Sequence, residues 1–372
     1  MEFTRESILT GPAGCGRLSP HLSSGSALPR SVHVSAPARA NLIGNPSDLS
    51  GGAILSCSVP LRARVTLEPA EATELVSGDL AARIESPRDL QPRGDELDLG
   101  RVALGALGPL PRVRLSYASE IPVQSGLAGS TALLVSLLEG LGAWLGQARG
   151  RYQLAELARR VERDVLGVTC GWVDSYLCTF GGLRYVDFRG KQDAEPSGET
   201  PFATVESLEA HVKEIPFLLA FTGVRHDSGA VHAPARARLE RGDPELLAAH
   251  RRMAELARLG KRALLDADWH RLGALMNENH ALQRGLGGSG EVNDRLIEAA
   301  LTAGALGAKL AGAGHGGTIV ALWPAADSTP LERALLSAGA AEIFRPAAVP
   351  GVTVEGSADL STPAPDMIRA RG

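Results

Sequence analysis

Two stretches of this sequence hold residue types, at a spacing, that suit chemistry. In IPVQSGLAGSTALLVSLLEGLGAWLG (Ile121 to Gly146), Gly126, Gly129, Ser130 and Thr131 stand directly before a run that is apolar nearly all round. A glycine-rich loop that opens a helix suits an anion, because the first-turn N–H groups have no intrahelical acceptor and the helix dipole favours negative charge there. Gly126 and Gly129 would let the backbone approach a phosphate, and Ser130 and Thr131 offer hydroxyls to that phosphate or to its Mg²⁺. The competing reading is a glycine-rich turn capped by serine, which needs no ligand. In LAELARRVERDVLGVTCGWVDSYLCTFGG, Glu162 is expected on the exposed side of an amphipathic helix and Asp174 on a glycine-flanked loop. An aspartate beside Gly171, Trp172 and Tyr176 would be partly desolvated, which suits a general base. Its alternative is an Asx-turn.

A second glycine cluster, GAGHGG (Gly312 to Gly317), matches GxGxxG, but the dinucleotide fingerprint needs a strand before it and a helix after it. Here a helical stretch is expected before and the strand-like TIVALW after, so a Rossmann oxidoreductase is rejected. The cluster is read instead as a loop that comes close to the first one. No GxxxxGK[ST], H-R-D or D-F-G occurs. Phosphate transfer, if this chain performs it, uses another architecture.

Composition narrows the partners. With 38 basic and 42 acidic residues the net charge of -4 gives no broad footprint for nucleic acid or an anionic membrane. A small molecule is the better partner. Cys15, Cys57, Cys170 and Cys178 are too scattered for a disulfide framework or a zinc pair, which points to a reducing compartment. Neither a signal-peptide core nor a membrane-length apolar run is present, so a cytoplasmic protein is expected, with residues 1–30 a disordered leader.

The elements that must position these loops can be read from periodicity. SVHVSAP, AILSCSVPLRARVTLEP and RVRLSYA read as strands, followed by the buried helix after the first loop. Leu154, Leu157, Ala158, Val161 and Val165 form a helical stripe that ends near Gly167, and GGLRYVDF reads as a strand. RGKQDAEPSGETPF is the expected boundary between an N-terminal domain (31–200) and a C-terminal one (201–372). Beyond it come the strand IPFLLAFTG and helices near 244–265, 268–283, 291–305 and 329–338. The short strands EIFRP and GVTVEG close the chain. Strands and helices mixed without strict alternation indicate an α+β fold.

Three segments together resemble the motifs of the GHMP kinases, the family of galactokinase, homoserine kinase, mevalonate kinase and phosphomevalonate kinase. PARANLIGNPSDLSGG (Pro37 to Gly52) is similar to the first motif, IPVQSGLAGSTA to the second and KLAGAGHGG (Lys309 to Gly317) to the third, in the family's order. The resemblance spans residues 32 to 355. It implies two α+β domains, an N-terminal half like the second domain of ribosomal protein S5 and a ferredoxin-like C-terminal half, with the active site between them.

The resemblance also implies ATP and Mg²⁺, with phosphates held along Pro122, Gly126, Leu127, Ala128, Gly129, Ser130 and Thr131 and at Gly312, Gly314 and Gly316. It makes Ser130 and Glu162 the metal ligands, Asp174 the base and Arg39 the group that keeps that base ionised. Asn45, Asp48, Gly181 and Arg225 would contact a sugar or sugar acid, and the protein would be a monomer or homodimer. Galactokinases read E-H-T-D where this chain has Asn45, Pro46, Ser47 and Asp48, which argues against galactose itself; GNPSD and GLAGS look more like the glucuronokinase branch. The expected acceptor is the anomeric hydroxyl of a uronic acid or related sugar. Arg225, His226 and Arg236 would meet its negative charge, unless they form a solvated helix face. Ala311 and His315 depart from the third motif, and Asn279 and His280 are expected to be structural. A mevalonate-type isoprenoid kinase and a non-catalytic sugar and ATP sensor are the alternatives.

Overall fold

The computed structural model describes residues 31–191, 201–224, 228–355 and 368–369. The expectations placed on residues 1–30, on the middle of the 189–202 stretch and on Arg225 and His226 lie outside them.

The N-terminal half is built on two long strands, β1 (Val32–Ile43) and β2 (Ala53–Pro69), paired antiparallel from Val32↔Leu67 to Ile43↔Leu55. In the second part of β2, buried Leu61, Ala63, Val65 and Leu67 alternate with half-buried Arg62, Arg64 and Thr66, so one face meets the core. β3 (Thr73–Ser77), β4 (Leu80–Ile84), α1 (Asp98–Leu107) and β5 (Val113–Ser119) follow. α2 (Gly129–Trp144) then lies in the core with β1 and β2 through Leu134, Val135, Leu138 and Leu141, all of them buried. Next come α3 (Arg151–Arg160), a single π-turn (Val161–Val165), α4 (Val173–Phe180), β6 (Leu183–Asp187) and β7 (Thr204–Ser207).

The C-terminal half contains β8 (Phe217–Phe221), α5 (Ser228–Glu240), α6 (Pro244–Leu265), α7 (Trp269–Gly285), α8 (Glu291–Thr302), β9 (Gly307–Leu310), β10 (Thr318–Leu322), α9 (Thr329–Ser337), β11 (Glu342–Phe344), β12 (Thr353–Glu355) and β13 (Ile368–Arg369). The first sheet has the order β12-β1-β2-β5-β3-β4, with β6 on the free part of β2 and β7 beside β6; the second runs β13-β11-β8-β10-β9. β12 thus returns to the first sheet. Leu256, Ala257 and Ala263 of α6 join the core of β1 and β2, whereas Leu296, Ile297, Leu331 and Leu335 pack a smaller core on the second sheet.

Most strand and helix expectations hold, and α6 and β2 match to the residue. At the third motif an expectation needs correcting: the residues before GAGHGG are not helical. Gly307–Leu310 forms β9 because β10 pairs it from Ile319↔Leu310 to Leu322↔Gly307, a partner that the small residues GAKL do not reveal on their own. The cluster is therefore the turn of a hairpin. It still lacks the strand-loop-helix order of a dinucleotide site.

Candidate active site

β1 carries Arg39 into the interior, where it is 5% exposed. Its guanidinium forks onto one carboxylate, Nε donating to Asp174 Oδ1 and Nη2 to Asp174 Oδ2, both at 2.7 Å. The remaining arm, Nη1, donates to the Gly126 carbonyl at 2.7 Å, and the Arg39 amide donates to the Leu127 carbonyl at 3.1 Å. One residue thus ties the carboxylate to the glycine-rich loop.

That loop enters α2 through left-handed residues at Gly126 (φ 74°) and Ala128 (φ 63°). Ala128 is the N-cap residue and no side chain caps the helix, so the serine-capped turn does not form and the first-turn amides have no side-chain acceptor. Ser130 is exposed beside them, Leu127 is buried, and Pro122 accepts from the Ser125 amide at 3.3 Å.

Asp174 lies in the first turn of α4 and not on a loop. α4 begins there because its leading amides are satisfied from elsewhere in the chain. Asp48 Oδ2, from the turn after β1, accepts from Trp172 N at 2.7 Å and Val173 N at 3.0 Å. Asp48 is 3% exposed; burial raises its pKa, opposed by the two amides and reinforced by the Asp174 charge. Gly171 makes the approach possible, since a Cβ on it would sit 2.0 Å from Asp48 Oδ2.

Glu162 requires a correction. It is 5% exposed, on the π-turn, with both oxygens 3.1 Å from the Thr131 hydroxyl in the first turn of α2. The buried stripe runs through Ala155, Ala158, Arg159 and Glu162, while Val165, expected inside, is 44% exposed. Burial first, and then the Asp174 charge, push the Glu162 pKa up to about 7.

The third motif approaches as expected of a neighbouring loop. A Cβ on Gly312 would lie 2.9 Å from the Gly126 carbonyl oxygen, and the Thr318 hydroxyl donates to the Ser125 carbonyl at 2.8 Å. Gly314 and Gly316 face elsewhere, against the Gly288 carbonyl and against Val224 and Asn293 respectively. His315 Nε2 lies 2.7 Å from the Gly287 carbonyl oxygen. Gly181 sits at the far end of α4, where it bridges to Pro350 with no room for a side chain, and is not brought to Asp174. Arg225 lies outside the described residues. Arg236 forms an exposed ion pair with Glu240 on α5.

Of two groups beside these loops, sequence reasoning anticipated one and missed the other. Asn279, as expected, is structural, accepting from Gly44 N at 2.6 Å and donating to the Asn45 carbonyl at 3.2 Å. Lys309, wholly buried, donates to Asn45 Oδ1 at 2.6 Å. A lysine in KLAGAGHGG was in plain sight, but nothing in the spacing says which loop it supports. Beside this turn a cavity of about 370 Å³ opens, walled by Pro46, His250 and Gln283 and by Gly288, Gly312 and His315 of the two facing loops.

The donor set fits Mg²⁺ held jointly with phosphate. No group of three or more His, Cys, Asp or Glu residues that could hold a metal occurs among the described residues. A single buried carboxylate and an exposed hydroxyl at a helix mouth suit an ion that takes one or two carboxylates and completes its shell with phosphate and water.

Comparison with known proteins bears on the family and the fold. Residues 99–182 match the family described as GHMP kinases N terminal domain, residues 261–341 GHMP kinases C terminal, and residues 24–69 the Galactokinase galactose-binding signature. A galactokinase of Mycobacterium tuberculosis is 30% identical, covering 86% of this chain and 98% of its own length. A mevalonate kinase of Methanothermobacter thermautotrophicus is 29% identical over 78% of this chain and 90% of its own length. Among solved structures, Lactococcus lactis galactokinase complexed with galactose superposes with a TM-score of 0.72 at 19% identity, covering 88% of this chain and 95% of that one. A D-glycero-D-manno-heptose 1-phosphate kinase from Bacteroides thetaiotaomicron gives 0.67 at 22%, covering 87% and 99%. Fold and relatives together define an ATP-dependent sugar kinase. The chain belongs to the GHMP kinase family, in its sugar-kinase branch, and has that family's two-domain α+β fold.

Proposed function

We propose that this kinase transfers the γ-phosphate of ATP to the anomeric hydroxyl of a uronic acid or a related sugar, with residues 31–200 holding the nucleotide and 201–372 closing the acceptor side. The observation that carries the reading is the Arg39 fork, which fixes the Asp174 carboxylate beside the loop whose amides are left for phosphate. Phosphoryl transfer asks mainly for position and charge stabilisation, and Arg39 serves both by tying base and loop into one unit. Asp174 takes the proton of the acceptor hydroxyl, and the α2 amides and Ser130 grip the phosphates. Glu162 and Ser130 would hold Mg²⁺, which would supply neutralisation of charge on the phosphate oxygens.

A second reading has an observation of its own. The match of residues 24–69 to a galactose-binding signature favours a neutral hexose such as galactose, against the loss of glutamate and histidine at Asn45 and Pro46. The described helices include none long and apolar enough to cross a membrane, which is consistent with the cytoplasmic location we propose. The test is ADP release with a panel of uronates, neutral hexoses and mevalonate. Turnover of a sugar is expected, and Asp174→Asn should lower it by roughly 10²–10⁴-fold while nucleotide still binds. Release with mevalonate alone, or with no acceptor in the panel, would overturn the reading.

A further inference from the structure

Of the two wholly buried lysines among the described residues, Lys191 pairs with Glu156 at 2.7 Å, and Lys309 is the one that the mechanism leaves unexplained. It is 0% exposed, and its Nζ donates to Asn45 Oδ1 at 2.6 Å and to the Leu310 carbonyl. Among the described residues no carboxylate pairs with it. The Asp174 carboxylate is committed to Arg39, and burial together with the Arg39 charge holds the Lys309 pKa well below the usual lysine range. A lysine buried without an acid is costly and calls for a reason.

The reason lies in what it does to Asn45. A lysine Nζ presents hydrogens to its two carbonyl partners, so the Asn45 oxygen must face it and the Asn45 amide nitrogen must face the other way. On that side, among the described residues, Nδ2 finds only the Gly312 carbonyl, at 3.4 Å, the outer limit of a hydrogen bond. Asn45 is 3% exposed, so this donor capacity is withheld from bulk water. It faces the residue that touches the phosphate loop at Gly126 and walls the cavity next to Pro46. A buried donor with spare hydrogens, backed by a second buried donor and with no acid beside it, is complementary to an oxygen anion.

We propose that Asn45, oriented by Lys309, selects an acceptor bearing an anionic oxygen group, either the carboxylate of a sugar acid or the phosphate of a sugar phosphate. The inference rests on the kinase reading above and deepens it by naming the charge of the acceptor and the pair that reads it. Asn45 is the contact and Lys309 the positioning residue.

The experiment compares kcat/KM for glucuronate, glucose 6-phosphate and glucose, using the full chain. The wild type should favour at least one anionic sugar over glucose, and which one it favours separates carboxylate from phosphate. Asn45→Asp, nearly the same shape, replaces the donor with a second anion that pairs with Lys309. It should lower the anionic-to-neutral ratio by about 10–100-fold. Lys309→Met frees the amide to turn over and should lower the same ratio, with ATP affinity by calorimetry changing little. Because the ratio is taken within one preparation, partial misfolding cancels from it. Turnover of glucose at the same efficiency as both anions, or a ratio unmoved in both variants, overturns this inference and leaves the kinase reading standing. Absence of turnover with every sugar overturns that reading instead, and this one with it.

Discussion

Burial decides what Glu162 can be. With both oxygens against a single hydroxyl and Asp174 nearby, its charge in the free protein is poorly compensated, and its pKa of about 7 lies above the ordinary value of 4.5. Between those two values the folded chain binds more protons than the unfolded one. Folding stability therefore falls as pH rises from about 4.5 to 7 and is flat above that range. At about 1.4 kcal/mol per unit, the penalty at pH 8 is on the order of 3 kcal/mol. Glu162→Gln should recover stability of that order in urea unfolding at pH 8 without ligands, and flatten the profile between pH 5 and 7, even though turnover is lost. A variant that keeps the wild-type slope would show that some other group titrates. This burial was not legible in the sequence. The stripe through Leu154, Ala158, Val161 and Val165 put Glu162 outside, because it assumed one helical period through a segment that contains a π-turn and leaves Val165 in solvent. Arg39 and Asp174 were legible as partners, since each falls at a motif position, and they meet at 2.7 Å.

At the scale of one element, α4 matters most, because it carries Asp174 and is only eight residues long. So short a helix is not stable on its own, and its first turn is fixed by Asp48, a cap reaching across 124 residues of sequence. Neither helix nor cap could be read locally. GWVDSYLC offers no N-cap residue in the right place, and the resemblance alone points Asp48 to sugar. Asp48→Ala removes the acceptor for two buried amides and should cost about 1–2 kcal/mol of stability. It should also lower kcat, since Asp174 loses its fixed position, while ATP affinity changes little. Asp48→Asn, which keeps an acceptor oxygen, should retain more of kcat than Asp48→Ala. If both variants instead raise KM for the acceptor and spare kcat, Asp48 is a sugar contact and the capping role is secondary.

Across the whole molecule, two distant turns close on each other, Gly312 against Gly126 and Thr318 against Ser125. The motif order made the fold legible, and the two glycine clusters were expected to meet. What composition could not supply was the reason they fit, which is that Gly312 and Gly126 stack backbone on backbone with no atom to spare. The Thr318 hydroxyl fastens the same seam by donating to the Ser125 carbonyl. Arg39 braces the loop from the opposite side through the Gly126 carbonyl, so a displacement of Gly126 is felt at Asp174 as well. Gly312→Ala would place a methyl group 2.9 Å from the Gly126 oxygen, and backbone on one side or the other must yield. Overpacking of this kind costs about 1–3 kcal/mol, and here it falls on the loop we propose to grip phosphate. Calorimetry with a non-hydrolysable ATP analogue should therefore show affinity reduced by about 5–150-fold, with kcat reduced too because the Arg39 fork shifts with the loop. The loss should exceed any produced by Gly314→Ala in the same assay, since Gly314 presses on the Gly288 carbonyl and not on the phosphate loop. Equal losses from the two substitutions would mean that the third-motif turn acts through its own stability, and that the seam between the halves does not set nucleotide affinity.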